Sequence, residues 1–318
     1  MMKTYLLLRQ VKIHNANALS SPLTIGFPAM TAWLGFMHAL ERKMRQQPEL
    51  EDVRFKKLAV SCHDWDLQTY KGAGDYVNSI IITANPLRKK GASFERPPFI
   101  EEARIHLTVS LLIEMKSLSP SIYPVFCDKV QEVLPAMKIA GGDILSFRPI
   151  QFLKKTSDSS SAFSPYCSKL LFGDDEDTDA DKEERRLIRN LMPGYVLVER
   201  RHLLQEEETG QSDTMQGMLD LLALHCDYDE NKDSWQTTRR GKGWLIPIAV
   251  GFKGLTPLGH VANQRDAGTP HRFAEPILTL GEFLMPHHCQ TVEEIMWQYR
   301  YEADKDLYVC VNEHEGED

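Results

Sequence analysis

"TYLLLRQVKI", residues 4–13, and "TAWLGFMHALERKMRQ", residues 31–46, frame the stretch whose reading decides the fold. The first begins as an apolar run and passes into alternation at Val11 and Ile13, the pattern of a strand. The second sets Trp33, Met37, Leu40 and Met44 at helical spacing, with Glu41, Arg42 and Lys43 on the other side, so an amphipathic helix is expected. Further strands are expected at 56–62 ("KKLAVSC"), 76–83 ("YVNSIIIT") and 103–113 ("ARIHLTVSLLI"). A helix over 123–138, shortened or kinked by Pro135, would stop at Gly141 and Gly142, and "GGDILSFRPIQFL" would supply a last strand. The order β-α-β, hairpin, β-α-β is that of an α+β, ferredoxin-like split unit, also the layout of RNA-recognition-motif domains.

That order predicts one domain over 1–155 with a long hairpin excursion at 64–102, whose tip "NPLRKKGASFERPP" carries Arg88, Lys89, Lys90 and Arg96. A projection of this length meets a partner or stays mobile. A Ser-rich and acidic linker is expected over 156–182, and a second mixed α/β region over 183–318. In that region the pattern predicts a basic helix at 183–192, a strand "GYVLVERRHLL", a helix "TMQGMLDLLALHC", a strand "GWLIPIAVGFKGL" and a final helix "TVEEIMWQYRYE".

The chain has 318 residues, 42% of them hydrophobic and 26% charged, so a globular core is within reach and wholesale disorder is excluded. No run of eighteen apolar residues and no secretory pattern is present, and the six cysteines, without a CxxC pair, fit reduced thiols; a soluble cytoplasmic protein is expected, with no membrane partner. The net charge of −8 argues at first sight against a polyanionic partner, yet "DDEDTDADKEE" at 174–184 carries −7 and "EHEGED" at 313–318 carries −4, leaving +3 for the rest.

Catalytic and cofactor signatures are sparse. There is no phosphate-binding G-x-x-x-x-G-K-[ST] loop, and "GAGDYV" and "GKGWLI" lack the third glycine of a dinucleotide fingerprint. The acidic run fails as a calcium loop because Ala180 and Arg186 stand where Gly and Glu are required. "PHHC" at 286–289 and "CHD" at 62–64 have ligand types without ligand spacing, and Cys62 and His63, adjacent on a strand, point to opposite faces. His38 and His106 read as packed histidines. No cofactor and no metal is expected.

Three polar groups remain. Asn15, Asn17, Ser20 and Ser21, between the first strand and first helix, can bind bases, sugars or phosphates, or can simply turn and cap the chain. Arg88, Lys89, Lys90 and Arg96, with Arg104 at the base of the returning strand, suit a phosphate backbone or are a solvated loop. Arg239 and Arg240 ("TTRRGKGW") with Arg265, His271 and Arg272 ("NQRDAGTPHRF") could stack on unpaired bases or form a salt-bridged surface.

The stretches "NANALSSPLTIGFP", "GFMHAL", "RIHLTVSLL", "AMKIAGGDIL", "MPGYVLVERRHLL", "GWLIPIAVGFKGLTPL", "RDAGTPHRFAEPILTLGEFLMPH" and "DKDLYV" run in that order from residue 15 to residue 309. Together they resemble the second Csy subunits of subtype I-F CRISPR surveillance complexes, within the class of Cas proteins that cap the five-prime end of the guide RNA. The resemblance implies an RNA-recognition-motif-like domain with a thumb hairpin and a family-specific second region. It implies a non-catalytic subunit that holds the five-prime handle of the crRNA, pairs with the large Csy subunit, abuts a backbone Csy subunit through the thumb, and meets target DNA through the assembled complex in antiviral defence. By the same resemblance Asn15, Asn17, Ser20 and Ser21 face the handle, and Arg88, Lys89, Lys90 and Arg96 belong to the thumb. The acidic run at 174–184 corresponds least. The enzyme alternative is a crRNA-processing endoribonuclease using His38 or His63 as general base, and a small-molecule enzyme is a third reading.

Overall fold

The computed structural model describes residues 3–81, 87–97, 102–116, 118–155, 179–208, 213–229, 233–264, 266 and 268–312. In chain order the elements are β1 (Lys3–Asn17), α1 (Met30–Met44), β2 (Phe55–Leu67), β3 (Arg104–Met115), α2 (Tyr123–Val133), β4 (Gly142–Ser146) and β5 (Gln151–Lys155). They continue with α3 (Asp179–Arg189), β6 (Tyr195–Glu199), α4 (Arg201–Glu208), α5 (Thr214–Leu222), β7 (Leu224–Asp229), β8 (Ser234–Arg239), β9 (Leu245–Gly254), β10 (Ala274–Leu284), β11 (Gln298–Glu302) and β12 (Leu307–Val311). The architecture is α+β, with few helices around one large curled antiparallel sheet.

Eleven described strands form that sheet, in the order Lys138–Ile139, β4, β1, β3, β2, β6, β10, β9, β12, β11, with β5 pairing β1 beyond β4. Residues from both sides of the expected 156–182 linker share it, joined where Cys62 lies opposite Tyr195 and Ser61 opposite Val196. Gly194 makes this junction possible, because a Cβ there would strike Ser61 Oγ and approach His63 Nδ1 within 2.9 Å.

β1 shows how sequence selects a face. Its register slips between Leu8 and Val11 and again between Ile13 and Ala16, and Gln10 (φ 46°) and Asn15 (φ 56°) take left-handed backbone at the slips. Each bulge inserts one residue and reverses the alternation. Leu6, Leu8, Val11, Ile13 and Ala16 therefore all reach the same core, against Trp33, Leu34, Met37 and Leu40 of α1 and Phe126 and Val130 of α2. Fully burying each such side chain contributes about 1.5–3 kcal/mol. A second core covers one end of the opposite face, where Tyr5, Leu7, Ala59 and Leu112 meet Leu187, Ile188 and Leu191 at α3 and Val292, Ile295 and Met296. A third joins α4 and α5 to β9 and β10 through Leu204, Met218, Leu221, Leu245 and Leu280.

Several expectations are corrected. "TVEEIMWQYRYE" is a 3-10 turn at Glu293–Ile295 followed by β11, because Trp297 is wholly buried, exchanges backbone hydrogen bonds with Leu58 (2.8 and 2.9 Å), and donates Nε1 to Leu197 O at 2.8 Å. The strand expected at 194–204 stops at Glu199 and continues as α4, and the helix expected at 214–226 stops at Leu222 before β7. Strand 76–83 is only Ser79–Ile80 among the described residues. α2 ends at Val133 with Pro135 in a 3-10 turn, so Gly141 and Gly142 do not stop a helix. Instead Ala140 (φ 49°) and Gly141 (φ 78°) turn the chain into β4, a two-residue mirror-image turn, and a Cβ on Gly142 would lie 2.7 Å from Ala16 N. The acidic run is not wholly linker either: from Asp179 it is helical, and Glu184 is buried with Oε2 accepting the Val292 amide at 2.9 Å.

Candidate nucleic-acid interface

Past the second core, the face of β1, β3 and β2 opposite the helices carries polar side chains. On β3, Ile105, Leu107 and Val109 point to the helices, so Arg104, His106 and Thr108 point away. On β1 the second bulge turns Asn15 so that its backbone amide donates to His106 Nδ1 at 3.0 Å, and the His14 ring stacks on His106 with centroids 4.2 Å apart. Asn17 lies directly opposite Arg104, and Arg104 pairs with Glu102. Asp64 and Asp66 of β2 stand opposite Thr108 and His106, so β2 brings negative charge to this corner and Arg104 of β3 brings positive charge.

Asn17 bonds to its own turn: Oδ1 accepts the Leu19 amide at 3.2 Å and Nδ2 donates to Leu19 O at 3.0 Å. Ser20 Oγ lies 2.9 Å from Thr24 Oγ1. Ser21 is buried, its Oγ 2.7 Å from Thr24 Oγ1 and accepting the Leu23 amide at 3.1 Å, so its hydroxyl builds the turn. Asn15 and Asn17 belong to β1 and Ser20 and Ser21 to a short hairpin, Leu19–Ser21 with Thr24–Ile25, not to an open loop. Asn17 and Ser20 line a cleft of about 400 Å³ with Ala29, Gly35, Lys138 and Gly141. The cleft meets the start of α1, where no side chain caps the helix and the positive end of its dipole is open. Lys138 Nζ holds Asp143 Oδ1 at 2.5 Å, and this hydrogen bond keeps the Asp143 carboxyl below the usual range.

The excursion leaves the sheet at this corner. The Gln68 amide donates to Arg104 O at 2.9 Å, the Ala18 amide donates to Ala103 O at 2.9 Å, and Leu67 lies opposite Ile105. Within it Arg88–Lys90 pairs with Ser93–Glu95 around Gly91 (φ 62°), and Arg88, Lys89, Lys90 and Arg96 are exposed, with Lys90 2.9 Å from Glu95.

The third group is elsewhere. Arg239 donates to Leu245 O at 3.0 Å, Arg240 is 4.0 Å from Asp220, and Arg272 packs over Gly254 and holds Asp306 at 2.6 Å. His271 pairs its backbone with Gly259. Arg265 lies outside the described residues. None of the four that are described belongs to the β1–β3 corner. His14, His106 and Lys138 were not marked as site residues by the sequence; for the two histidines the polar members of the alternation in "VKIHNAN" and "RIHLTV" were the available signal.

His63 Nε2 sits 2.7 Å from Ser110 Oγ, and burial, with Arg9 nearby, pushes its pKa down. His38 packs on the Tyr299 ring at 4.7 Å. Burial pushes the Cys62 thiol up to about 12, far from a thiolate. Among the described residues no three metal-ligating side chains come together, and no helix is long and apolar enough to cross a membrane.

Residues 6–310 match the family described as "CRISPR-associated protein (Cas_Csy2)". The chain belongs to the Csy2 family. The family's subunits are those of type I-F CRISPR complexes, as the ordered sequence stretches implied. The chain is also 35% identical over 323 aligned residues to "CRISPR-associated protein Csy2" of Pseudomonas aeruginosa (strain UCBPP-PA14), covering 95% of this chain and 93% of that relative. Csy2 membership thus spans both the polar corner and the region from α3 onward.

Proposed function

We propose that this chain is a non-catalytic RNA-binding subunit that grips the five-prime handle of the crRNA at the β1–β3 corner. The observation that carries the reading is the junction of two polar features: Asn17 and Arg104 lie opposite each other at the foot of the basic excursion. A bent RNA end could lie across Asn15, Asn17, Ser20 and Arg104 while phosphates follow Arg88, Lys89, Lys90 and Arg96. The stacked imidazoles of His14 and His106 offer a flat surface to an unpaired base. Residues 1–155 act here as an RNA-recognition-motif-like half, a reading supported by the strand order β4, β1, β3, β2 with α1 and α2 on one face. Residues 183–318, beyond the linker, form the family-specific half that pairs with the large subunit; the excursion serves as a thumb against a backbone subunit, and target DNA is met through the assembled complex in cytoplasmic antiviral defence. Base pairing by the guide reads sequence, so such a subunit needs grip rather than an active site.

The test is the salt dependence of handle binding. Replacing Arg88, Lys89 and Lys90 by Ala is expected to lower the slope of log K against log salt by about 2, because each single-strand phosphate that a cation no longer neutralises lowers it by about 0.7. An unchanged slope would remove the thumb from the RNA path. Specific cleavage of precursor crRNA by the isolated chain, abolished by His63→Ala, would replace the reading with the endoribonuclease.

A further inference from the structure

β7 and β8 form a two-stranded sheet that pairs with no other described strand. Its register places Tyr228 opposite Trp235, Cys226 opposite Thr237 and Leu224 opposite Arg239, so these six side chains share one face. His225, Asp227, Asp229, Ser234, Gln236 and Thr238 take the other. The first face carries three large apolar side chains that are uncovered: Leu224 is 67% exposed, Tyr228 47% and Trp235 71%, with the Tyr228 and Trp235 rings packed edge to face at 5.5 Å. On α5, Met215 and Leu219, one turn apart, are also exposed. An isolated two-stranded hairpin is at best marginally stable in water, and aromatic side chains left this bare are the usual anchors of an interface.

The hairpin is nevertheless well rooted. Arg239 bonds to Leu245 O, Arg240 reaches Asp220 of α5, and Gly241 passes so close to Leu221 O that a Cβ would overlap it. Tyr228 donates its hydroxyl to Asp233, and Gln236 Nε2 donates to Asp229 Oδ2 at 2.7 Å, which ties the two strands together.

We propose that the β7–β8 hairpin is a docking finger for a different protein, one presenting an apolar cleft rimmed by basic side chains. Charge selects this occupant. Asp227 and Asp229 stand on the polar face of β7 and Asp233 directly precedes β8, while the cations Arg239 and Arg240 stand at the root and are engaged there. A polyanion would be repelled by these carboxylates, and a second copy docking through the same hairpin would bring its own Asp227, Asp229 and Asp233 against them. The inference assigns Arg239 and Arg240 to holding this finger, and it does not depend on the RNA reading of the β1–β3 corner.

Cys226 lies on the apolar face and is exposed, whereas Cys62, Cys127, Cys289 and Cys310 are buried, so its thiol reports coverage directly. In a Cys167→Ser background, maleimide labelling of Cys226 is compared between the free full-length chain and the assembled ribonucleoprotein. Labelling at least tenfold slower in the assembly is expected. A photo-crosslinking residue at Trp235 is expected to join one other subunit of the assembly. The double variant D227N/D229N should weaken incorporation several-fold and flatten its salt dependence, with the melting temperature of the free chain unchanged. Equal labelling rates, a Trp235 crosslink to RNA or to a differently tagged copy of this chain, or incorporation of D227N/D229N indistinguishable from the unsubstituted chain would each overturn the proposal. Failure of handle-RNA binding at the β1–β3 corner would leave these readouts unchanged.

Discussion

The same three strands, β1, β3 and β2, have two unlike ends. At one end both faces are sealed: Leu6, Leu58 and Ile113 meet the helices, while Tyr5, Leu7, Ala59 and Leu112 meet α3 and the 292–296 turn. At the other end one face still packs on α1, but the opposite face offers His14, Asn17, Arg104 and His106. One end resembles a two-sided core strand and reads as continuous apolar sequence, "YLLL" and "SLLI"; the other reads as alternation, "VKIHNAN" and "RIHLTV". Rigid support and polar presentation are thus built into single strands, so the corner is positioned by a core only a few residues away.

The sealed end should break hardest. Trp297→Ala removes a fully buried indole and its hydrogen bond to Leu197 O, and is expected to cost about 3–5 kcal/mol, measured by denaturant unfolding. A loss near that of a surface substitution would mean that β11 does not seal this end.

A smaller effect probes the ionic seam beside it. Lys3 and Lys57 both hold Glu293, and Lys3 and Lys56 lie 3.7 and 3.9 Å from the buried Glu114. Burial works to raise the Glu293 pKa, but hydrogen bonds from Lys3 and Lys57 outweigh it and hold the carboxyl below its usual range. A depressed folded pKa stabilises above the unfolded value, about 4.3, and the gain is lost as pH falls through the folded value. Glu293→Gln should therefore cost about 1 kcal/mol at pH 7, with the difference from the unsubstituted chain shrinking as pH falls from the unfolded value through the folded one. A penalty that does not change with pH would show that the seam acts through packing alone.

Legibility followed the local pattern. β1, α1, β2 and β3 were readable because each contains a run of strand or helix period long enough to mark it, as Val11 and Ile13 do within the bulged β1. The bulges at Gln10 and Asn15 were not, since their positive φ answers to β3, and the contact between Asn15 and His106 spans ninety-one residues. β11 was misread because Val292, Ile295, Met296 and Tyr299 also sit at helical spacing; pairing of Trp297 with Leu58 overrode that period. In the site, residue type marked Asn17 and Arg104, which the register sets opposite each other, but it did not show that Asn17 bonds to Leu19, Arg104 to Glu102 and Ser21 within its own turn. Arg239 and Arg272 show the limit of reading cations singly, because each has a partner that residue type does not reveal, the Leu245 carbonyl just along the chain for Arg239 and the distant Asp306 for Arg272.

The central claim is that the open end of β1 and β3 grips RNA while the sealed end only supports it. Handle-RNA affinity of the assembly carrying Asn17→Ala with Arg104→Glu tests this most directly, read beside its melting temperature and its affinity for an unrelated RNA. The account predicts at least a tenfold loss, about 1.4 kcal/mol, for the handle with little change in melting. Unchanged handle affinity, or an equal loss for the unrelated RNA, would contradict it.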